Sequence, residues 1–209
     1  MITTKKIDTY LHSLIPDRPP ILREMEAYAE DNGFPIVGPV VGRYLYQLAL
    51  QMKARRILEL GSGFGYSAFW FSLAVKSKGQ ITMTDGDKAY KKRAFDYFKR
   101  AGLQSQFDFR VGDARRIIKK LSGPYDIILN DIDKDGYPET IDPVAERLRK
   151  GGVFVTDNVL WKGSVTEPEK KRDGTTQAVV KFTQRLYQDS RFVTTVLPLR
   201  DGISVAVRV

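Results

Sequence analysis

The chain has 209 residues, of which 42% are hydrophobic, and it carries 34 Lys and Arg against 25 Asp and Glu, a formal net charge of +9. This size allows one substantial core, so we expect a single domain over residues 1–209, and the lack of Cys excludes disulfides, thiolate metal sites and Cys nucleophiles. No apolar run reaches the roughly 18 residues of a membrane span, and the polar N-terminus lacks the apolar core of a signal peptide, so we expect a cytoplasmic protein without a membrane partner.

The N-terminal part of the chain is predicted to be helical. Helices are expected over residues 5–15 and 21–32, which a Pro-rich stretch separates, and a third helix is expected over residues 40–52. We interpret residues 1–36 as a helical addition to a catalytic core over residues 37–209.

From residue 56 onward, strand patterns alternate with helix patterns. Strands are expected over residues 56–60, 80–86, 107–112, 125–131, 153–156, 192–198 and 203–209. Helices are expected over residues 68–74, 87–101, 113–121, 138–149 and 176–188, with Gly151 and Gly152 ending the fourth. The long polar stretch 159–176 is expected to be an active-site lid or disordered. This alternation predicts an α/β fold: a doubly wound, mostly parallel seven-stranded sheet with a C-terminal antiparallel strand.

A Gly-rich turn follows the first predicted strand, where residues 59–67 have the sequence ELGSGFGYS. Glycines in such a turn let the backbone approach a ligand closely, and the first amides of the next helix point at that ligand. Gly61, Gly63 and Gly65 are spaced so that the third glycine comes one residue earlier than in the dinucleotide fingerprint. The motif therefore favours an adenosyl ligand without a pyrophosphate over the cofactor of a dehydrogenase, and a turn without any ligand is the alternative.

Side chains with carboxylate or amide oxygens stand at the carboxyl ends of five predicted strands. They are Glu59, Asp85, Asp113, Asp131, Asp157 and Asn158. Because parallel strands end at the same edge of a sheet, we expect these side chains to lie together on one rim. Asp85 lies 24 positions after Gly61, near the spacing of the carboxylate that accepts hydrogen bonds from ribose hydroxyls. A helix N-cap is the alternative role for Asp85.

Asp131, Asp157 and Asn158 follow two strands that could be neighbours, in which case they could share one cation. Since His12 is the only histidine and Cys is absent, oxygen atoms are the available ligands, which suit Mg²⁺, Mn²⁺ or Ca²⁺ rather than zinc. Lys134, three residues after Asp131, is a candidate general base. Solvated loop acids and a solvated loop lysine are the alternatives at these positions.

Two further motifs, together with the Gly-rich turn, resemble the cation-dependent O-methyltransferases among the class I S-adenosylmethionine-dependent methyltransferases. Residues 131–137 (DIDKDGY) are similar to the family motif D-A-D-K-x-x-Y, and residues 157–163 (DNVLWKG) are similar to D-N-V-L-W-x-G. Catechol O-methyltransferase and caffeoyl-CoA O-methyltransferase typify the family. The chain departs from it at Ile132, where Ala is usual, and at residues 181–183 (KFT), where many relatives have R-x-F-N. These departures leave the identity of the substrate open.

The resemblance implies a role for each candidate residue. Lys134 would be the general base, and Asp131, Asp157 and Asn158 would bind a divalent cation, Mg²⁺ ahead of Mn²⁺ or Ca²⁺. S-adenosylmethionine would contact Val37, Glu59, Gly61, Gly63, Ser67, Asp85, Asp113, Ala114 and Asp131. The resemblance also implies a homodimer with contacts from the second and third helices.

The function that we predict is transfer of a methyl group from S-adenosylmethionine to a metal-bound hydroxyl of a small catechol-like or vicinal-diol acceptor. One alternative is a tRNA methyltransferase acting on a hydroxylated base, which the charge of +9 would favour. The basic residues are spread over helix faces without one aromatic-interleaved stripe, so a nucleic-acid partner is the weaker prediction. A non-catalytic adenosyl-binding protein is the second alternative.

Overall fold

The computed structural model of the chain describes residues 4–75 and 79–209, so residues 1–3 of the predicted helical addition lie outside it. The α-helices in these ranges are α1 (Lys5–Ser13), α2 (Pro20–Asp31), α3 (Gly38–Met52), α4 (Tyr66–Val75), α5 (Lys88–Arg100), α6 (Ala114–Lys120), α7 (Ile141–Arg147) and α8 (Gly174–Gln188). The strands are β1 (Arg56–Leu60), β2 (Gln80–Asp85), β3 (Phe107–Val111), β4 (Tyr125–Asn130), β5 (Leu148–Thr156), β6 (Phe192–Leu197) and β7 (Ile203–Arg208).

The seven strands form one sheet in the order β3-β2-β1-β4-β5-β7-β6. Strands β1 to β5 are parallel, and β7 is antiparallel to both of its neighbours, β5 and β6. Consequently β6 runs in the same direction as β1 to β5, and its carboxyl end reaches the same edge of the sheet. The predicted fold class, a doubly wound and mostly parallel seven-stranded sheet with a C-terminal antiparallel strand, is confirmed.

Helices cover both faces of the sheet because side chains alternate between the faces along each strand. In β1, Ile57 packs into a core formed with α2, α3, α4 and α5, whereas Leu58 packs into a second core formed with α6, α7 and α8. The central strands are thus buried on both sides, which explains their nearly continuous apolar sequence.

The N-terminal helix α2 belongs to the first of these cores. Its Leu22 and Met25 are fully buried there. A polar contact fixes it as well: the hydroxyl of Tyr66, at the start of α4, donates to Glu26 Oε1 at 2.6 Å, and Arg18 Nη2 donates to Glu26 Oε2 at 2.8 Å. This contact fastens α2 to the helix that follows the Gly-rich turn.

The predicted helix over residues 138–149 is wrong at both ends. A 3₁₀ turn precedes α7, and β5 already begins at Leu148. Gly151 and Gly152 lie within β5 and do not end a helix. Gly151 has φ +69°, and a Cβ on Gly152 would lie 2.8 Å from the carbonyl oxygen of Arg149. The two glycines therefore permit an irregular, closely packed piece of strand.

The predicted loop 159–176 contains two 3₁₀ turns, Trp161–Thr166 and Glu169–Lys171, and α8 begins within it at Gly174. Whether it opens and closes as a lid stays a prediction. Among the helices of the described ranges, none is long and apolar enough to cross a membrane. The cytoplasmic location and the division into an addition and a core also stay predictions.

Candidate active site

The strand order places predicted site residues in one row along the carboxyl edge of the sheet. From β3 to β5 the row is Asp113, Asp85, Gly61, Asp131 and Asp157, each at or just after the end of its strand. Neighbouring strands are about 4.8 Å apart, so adjacent members of the row are close in space. The structure therefore brings these residues together on one rim.

Two adjoining cavities, which share lining residues, lie along this row. The first, of about 190 Å³, is lined by most of the predicted site residues: Val37, Gly61, Gly63, Ser67, Asp85, Asp131, Lys134, Asp157 and Asn158. The second, of about 680 Å³, is lined by Asp113 and Ala114 and shares Gly61, Asp85 and Asp131 with the first. Together they form a trough that an elongated ligand could occupy, with Lys134 at one end and Asp113 at the other.

The Gly-rich turn after β1 is fixed by hydrogen bonds to the end of β2. The amides of Gly61 and Ser62 donate to the carbonyl oxygen of Thr84 at 3.1 and 2.9 Å. The amide of Gly63 donates to Asp85 Oδ2 at 2.9 Å. Gly61 and Gly63 have φ of +79° and +49°, a region that favours glycine. The turn thus holds the Asp85 carboxylate against the cavity.

The acids of β2 and β3 differ in their surroundings. The N-cap alternative for Asp85 is wrong, because Asp87 caps α5 by accepting a hydrogen bond from the Ala89 amide at 2.7 Å. Asp113 caps α6, and its carboxylate is 3.0 Å from Nη2 of Arg115, whose hydrogen bonds lower the pKa of Asp113. Asp113 is therefore already engaged, and its contact with a ligand stays a prediction.

Glu59 lies apart from the other predicted cofactor-binding residues. It is fully buried and lines neither cavity. Burial raises the pKa of Glu59 to about 8, and the nearby hydroxyls of Ser67 and Ser62 oppose this rise only in part. Neither carboxyl oxygen has a hydrogen-bond partner among the described residues, and contact of Glu59 with the donor stays a prediction.

The stability of the protein should depend on pH through Glu59. Its usual pKa is 4.5 and its pKa in the folded state is about 8, so between these values the folded state holds a proton that the unfolded state has lost. The free energy of unfolding is therefore highest below about pH 4.5. It falls as the pH rises from there through about 8, by up to about 1.4 kcal/mol per pH unit. Urea unfolding from pH 5 to 8 should show this decline, and Glu59→Gln should make it shallower. An equal slope in both proteins would contradict the assignment.

Asp131 and Asp157 follow neighbouring strands and line the same cavity. Asn130 pairs with Thr156, and the amide of Asp157 donates to the carbonyl oxygen of Asn130 at 3.2 Å. Burial raises the pKa of both carboxyl groups, that of Asp157 to about 7, and repulsion from Asp131 adds to the rise at Asp157. Each carboxylate is therefore stabilised by any positive charge placed beside it.

Lys134 is held against the first of these carboxylates. Its Nζ donates to Asp131 Oδ1 at 3.0 Å and to the carbonyl oxygen of Ile132 at 3.3 Å. Only 14% of its side chain is exposed, and Nζ lies 5.4 Å from the ring centre of Tyr137 and 6.0 Å from that of Trp161. Lys134 is thus a largely enclosed amine at the cavity and not a solvated loop lysine.

The oxygen atoms at this end of the cavity fit a hard divalent cation. Asp157 Oδ1 is buried and has no hydrogen-bond partner among the described residues, which is uncommon for a carboxylate oxygen. Asn158 lines the same cavity in a left-handed conformation, φ +57°, that Asn tolerates. No cluster of three or more His, Cys, Asp and Glu suited to a metal occurs in residues 4–75 and 79–209. A cation held here would need the amide oxygen of Asn158 beside the two carboxylates, and cation binding stays a prediction.

Sequence patterns do not identify two parts of this site. Arg200 lines the first cavity, and its Nη1 donates to Asp157 Oδ2 at 3.0 Å. Residues 34–36, between α2 and α3, line the cavity from the opposite side. The direction of β6 would have indicated Arg200, because a strand parallel to β1–β5 must end at the edge that carries the site.

A Gly-rich turn after the first strand of a doubly wound sheet, followed by acids after the second and fourth strands, is the arrangement of a Rossmann-like protein that binds a nucleoside-containing ligand. A family model described as O-methyltransferase matches residues 16–209, so the chain belongs to this O-methyltransferase family. The family indicated by the sequence motifs is thereby confirmed.

Individual relatives agree with this assignment. The chain is 31% identical to catechol O-methyltransferase domain-containing protein 1 of Mus musculus, in a match that spans 79% of this chain and 64% of that protein. It is 29% identical to caffeoyl-CoA O-methyltransferase of Stellaria longipes over 94% of this chain and 87% of the relative. The crystal structure of the O-methyltransferase TomG from Streptomyces achromogenes, in complex with SAM, superposes with a TM-score of 0.88 at 28% identity, covering 97% and 96% of the two chains.

Proposed function

We propose that the chain uses S-adenosylmethionine and a divalent cation, Mg²⁺ first, to methylate a hydroxyl of a small catechol-like or vicinal-diol acceptor. One observation carries the proposal: Lys134, the carboxylates of Asp131 and Asp157, and Asn158 line the cavity that also contains the Gly-rich turn. Membership of the O-methyltransferase family supports the reaction type. The related structure in complex with SAM supports the identity of the methyl donor.

The methyl donor would occupy the trough formed by the two cavities. Asp85 would accept hydrogen bonds from the ribose hydroxyls, since each of its oxygens accepts one backbone hydrogen bond, from Gly63 or Asp87, and keeps a free lone pair. Asp113 and Ala114 would lie beside the adenine, and Ser67 would face the other end of the donor. When bound, S-adenosylmethionine supplies an electrophilic methyl group, and the cation supplies positive charge that favours an ionised hydroxyl.

Lys134 would move the proton. In its neutral form its Nζ accepts the proton of the acceptor hydroxyl, whose oxygen then bonds to the methyl carbon while the carbon–sulfur electron pair stays on sulfur. Asp131 fixes Nζ at 3.0 Å, so the amine is already oriented before the acceptor arrives. The rings of Tyr137 and Trp161 near Nζ limit the access of water.

The acceptor would enter through a cavity of about 560 Å³ that opens beside Lys134 and Asn158. Trp161 lines this cavity and offers a flat aromatic face against which an aromatic ring can stack. A vicinal diol suits the two neighbouring carboxylates and Asn158, because both of its oxygens can share a single cation with them. The proposed acceptor is therefore a small aromatic diol.

The proposal is tested by a methyl-transfer assay on a panel of diols and on unmodified tRNA, with and without EDTA. We expect turnover of a catechol-like acceptor that EDTA lowers at least about 100-fold and that added Mg²⁺ restores. Monohydric phenols, which keep one free hydroxyl but lack an adjacent oxygen, serve as the negative control. Full turnover in EDTA would exclude the role of the cation, and turnover of tRNA alone would favour the nucleic-acid alternative.

The proposed homodimer rests on the family resemblance. The large apolar side chains of α2 and most of those of α3 point inward in the single chain, while Leu50 near the end of α3 is 44% exposed. Leu50 is thus the position at which a contact through α3 would bury apolar area.

A further inference from the structure

Arg200 lies where the site would bind its cation. It belongs to the turn between β6 and β7, and its backbone has φ +54°, a left-handed conformation that is uncommon outside glycine. Its Nη1 donates to Asp157 Oδ2 at 3.0 Å. Arg200 lines both the cavity of the carboxylates and the cavity proposed for the acceptor.

Each of the two carboxylates proposed to hold the cation already has a cationic partner. Asp131 is paired with Lys134 and Asp157 is paired with Arg200, each at 3.0 Å. Asp133, which lines the same cavity, adds a further negative charge but does not remove either pair. A divalent cation that reaches Asp131 and Asp157 therefore meets two positive groups beside them, which weakens its binding.

In the pair of Asp157 and Arg200, only the arginine side chain is free to move into water. The Asp157 side chain is 3% exposed, whereas that of Arg200 is 37% exposed. The turn itself is anchored to the segment after β5, because the amides of Val159 and Leu160 donate to the carbonyl oxygens of Gly202 and Asp201 at 3.1 and 3.0 Å. The Arg200 side chain can therefore leave Asp157 without any change in the backbone.

We propose that Arg200 is a built-in counter-ion of Asp157 that competes with the divalent cation for this carboxylate. The inference rests on the proposed function, since it concerns the same cation. Binding of the cation displaces the guanidinium from Asp157 Oδ2 toward the acceptor cavity. A cation that contacted only the unpartnered Oδ1 would still lie beside the guanidinium and be repelled by it. In both arrangements Arg200 lowers the affinity for the cation.

The test is the binding of Mn²⁺ and of Mg²⁺ to the full chain, measured by titration calorimetry without donor or acceptor. Arg200→Ala and Arg200→Gly should each bind the cation at least about 10-fold more tightly than the original protein, because one repelling charge is gone. Arg200→Lys keeps the charge and should bind within about 3-fold of the original. Arg110→Ala is the matched control: it removes the same charge from an exposed pair with Asp108 on β3 and should leave the affinity unchanged.

Arg200→Gly also guards against a folding defect, because glycine accepts φ +54° without strain. Equal or weaker cation binding in Arg200→Ala and Arg200→Gly, with measurable binding in the original protein, overturns the inference alone. Absence of binding in all variants overturns the inference and the cation role in the proposed function together. If Arg110→Ala bound the cation more tightly by the same factor, the effect would come from the overall charge of the protein, and the inference about Arg200 would be overturned.

Discussion

Replacing Lys134 by Arg is expected to lower kcat by about 10²- to 10⁴-fold, the range of a lost general base. Arginine keeps the positive charge and can still pair with Asp131, but it cannot give up its proton at ordinary pH and so cannot accept another. The measurement is the rate of S-adenosylhomocysteine formation at saturating donor and acceptor. Donor binding, followed by calorimetry, should stay within about 3-fold of the original, because Lys134 Nζ faces the acceptor side.

Two variants complete this test. Lys134→Met removes both the charge and the base, so it should lose at least as much activity as Lys134→Arg. Lys99→Arg, an exposed residue on α5, repeats the chemical change away from the site and should be without effect. If Lys134→Arg kept most of the activity while Lys134→Met lost it, Lys134 would act through its positive charge. Another group would then accept the proton of the acceptor hydroxyl.

The sequence predicts those features of the fold that follow from local patterns. Short apolar runs bounded by turn residues predict the strands, and the carboxyl ends of parallel strands must meet at one edge. For this reason Asp85, Asp131 and Asp157 could be placed on one rim, and the structure has them at the ends of β2, β4 and β5 around a shared cavity. The strand order itself was needed to show that β4 and β5 are neighbours and that β1 lies between β2 and β4.

The features that the sequence does not predict depend on long-range packing. Gly151 and Gly152 look like a helix end, yet they lie in an irregular strand, where a Cβ on Gly152 would come within 2.8 Å of the carbonyl oxygen of Arg149 and 3.1 Å of that of Asp126 on β4. Glu59 stands at the end of β1 among the other acids in the sequence, and only the structure shows that its side chain is fully buried. Arg200 reaches Asp157 from 43 positions away, and no local pattern specifies that contact.

Replacing Gly61 by Ala is expected to lower the free energy of unfolding by roughly 2–4 kcal/mol and to abolish donor binding. A Cβ at Gly61 would lie 2.5 Å from the carbonyl oxygen of Asp131 and 2.8 Å from the amide nitrogen of Ile132. These are backbone atoms of the segment after β4, so they cannot rotate away as a flexible side chain would. Relief of the clash must move the segment that carries Asp131 and Lys134.

The matched control is Gly102→Ala, which separates this clash from the strain of the left-handed conformation. Gly102 has φ +69°, close to the +79° of Gly61, but a Cβ there would meet nothing within 4 Å. Gly102→Ala should therefore lower the free energy of unfolding by only about 1 kcal/mol, because only the left-handed backbone conformation is unfavourable for alanine there. Urea unfolding and calorimetric titration with S-adenosylhomocysteine give the two readouts for each variant. The contrary result would be a Gly61→Ala variant that loses no more free energy of unfolding than Gly102→Ala does and still binds S-adenosylhomocysteine. That result would show that the close approach of the turn to Asp131 does not shape the cofactor site.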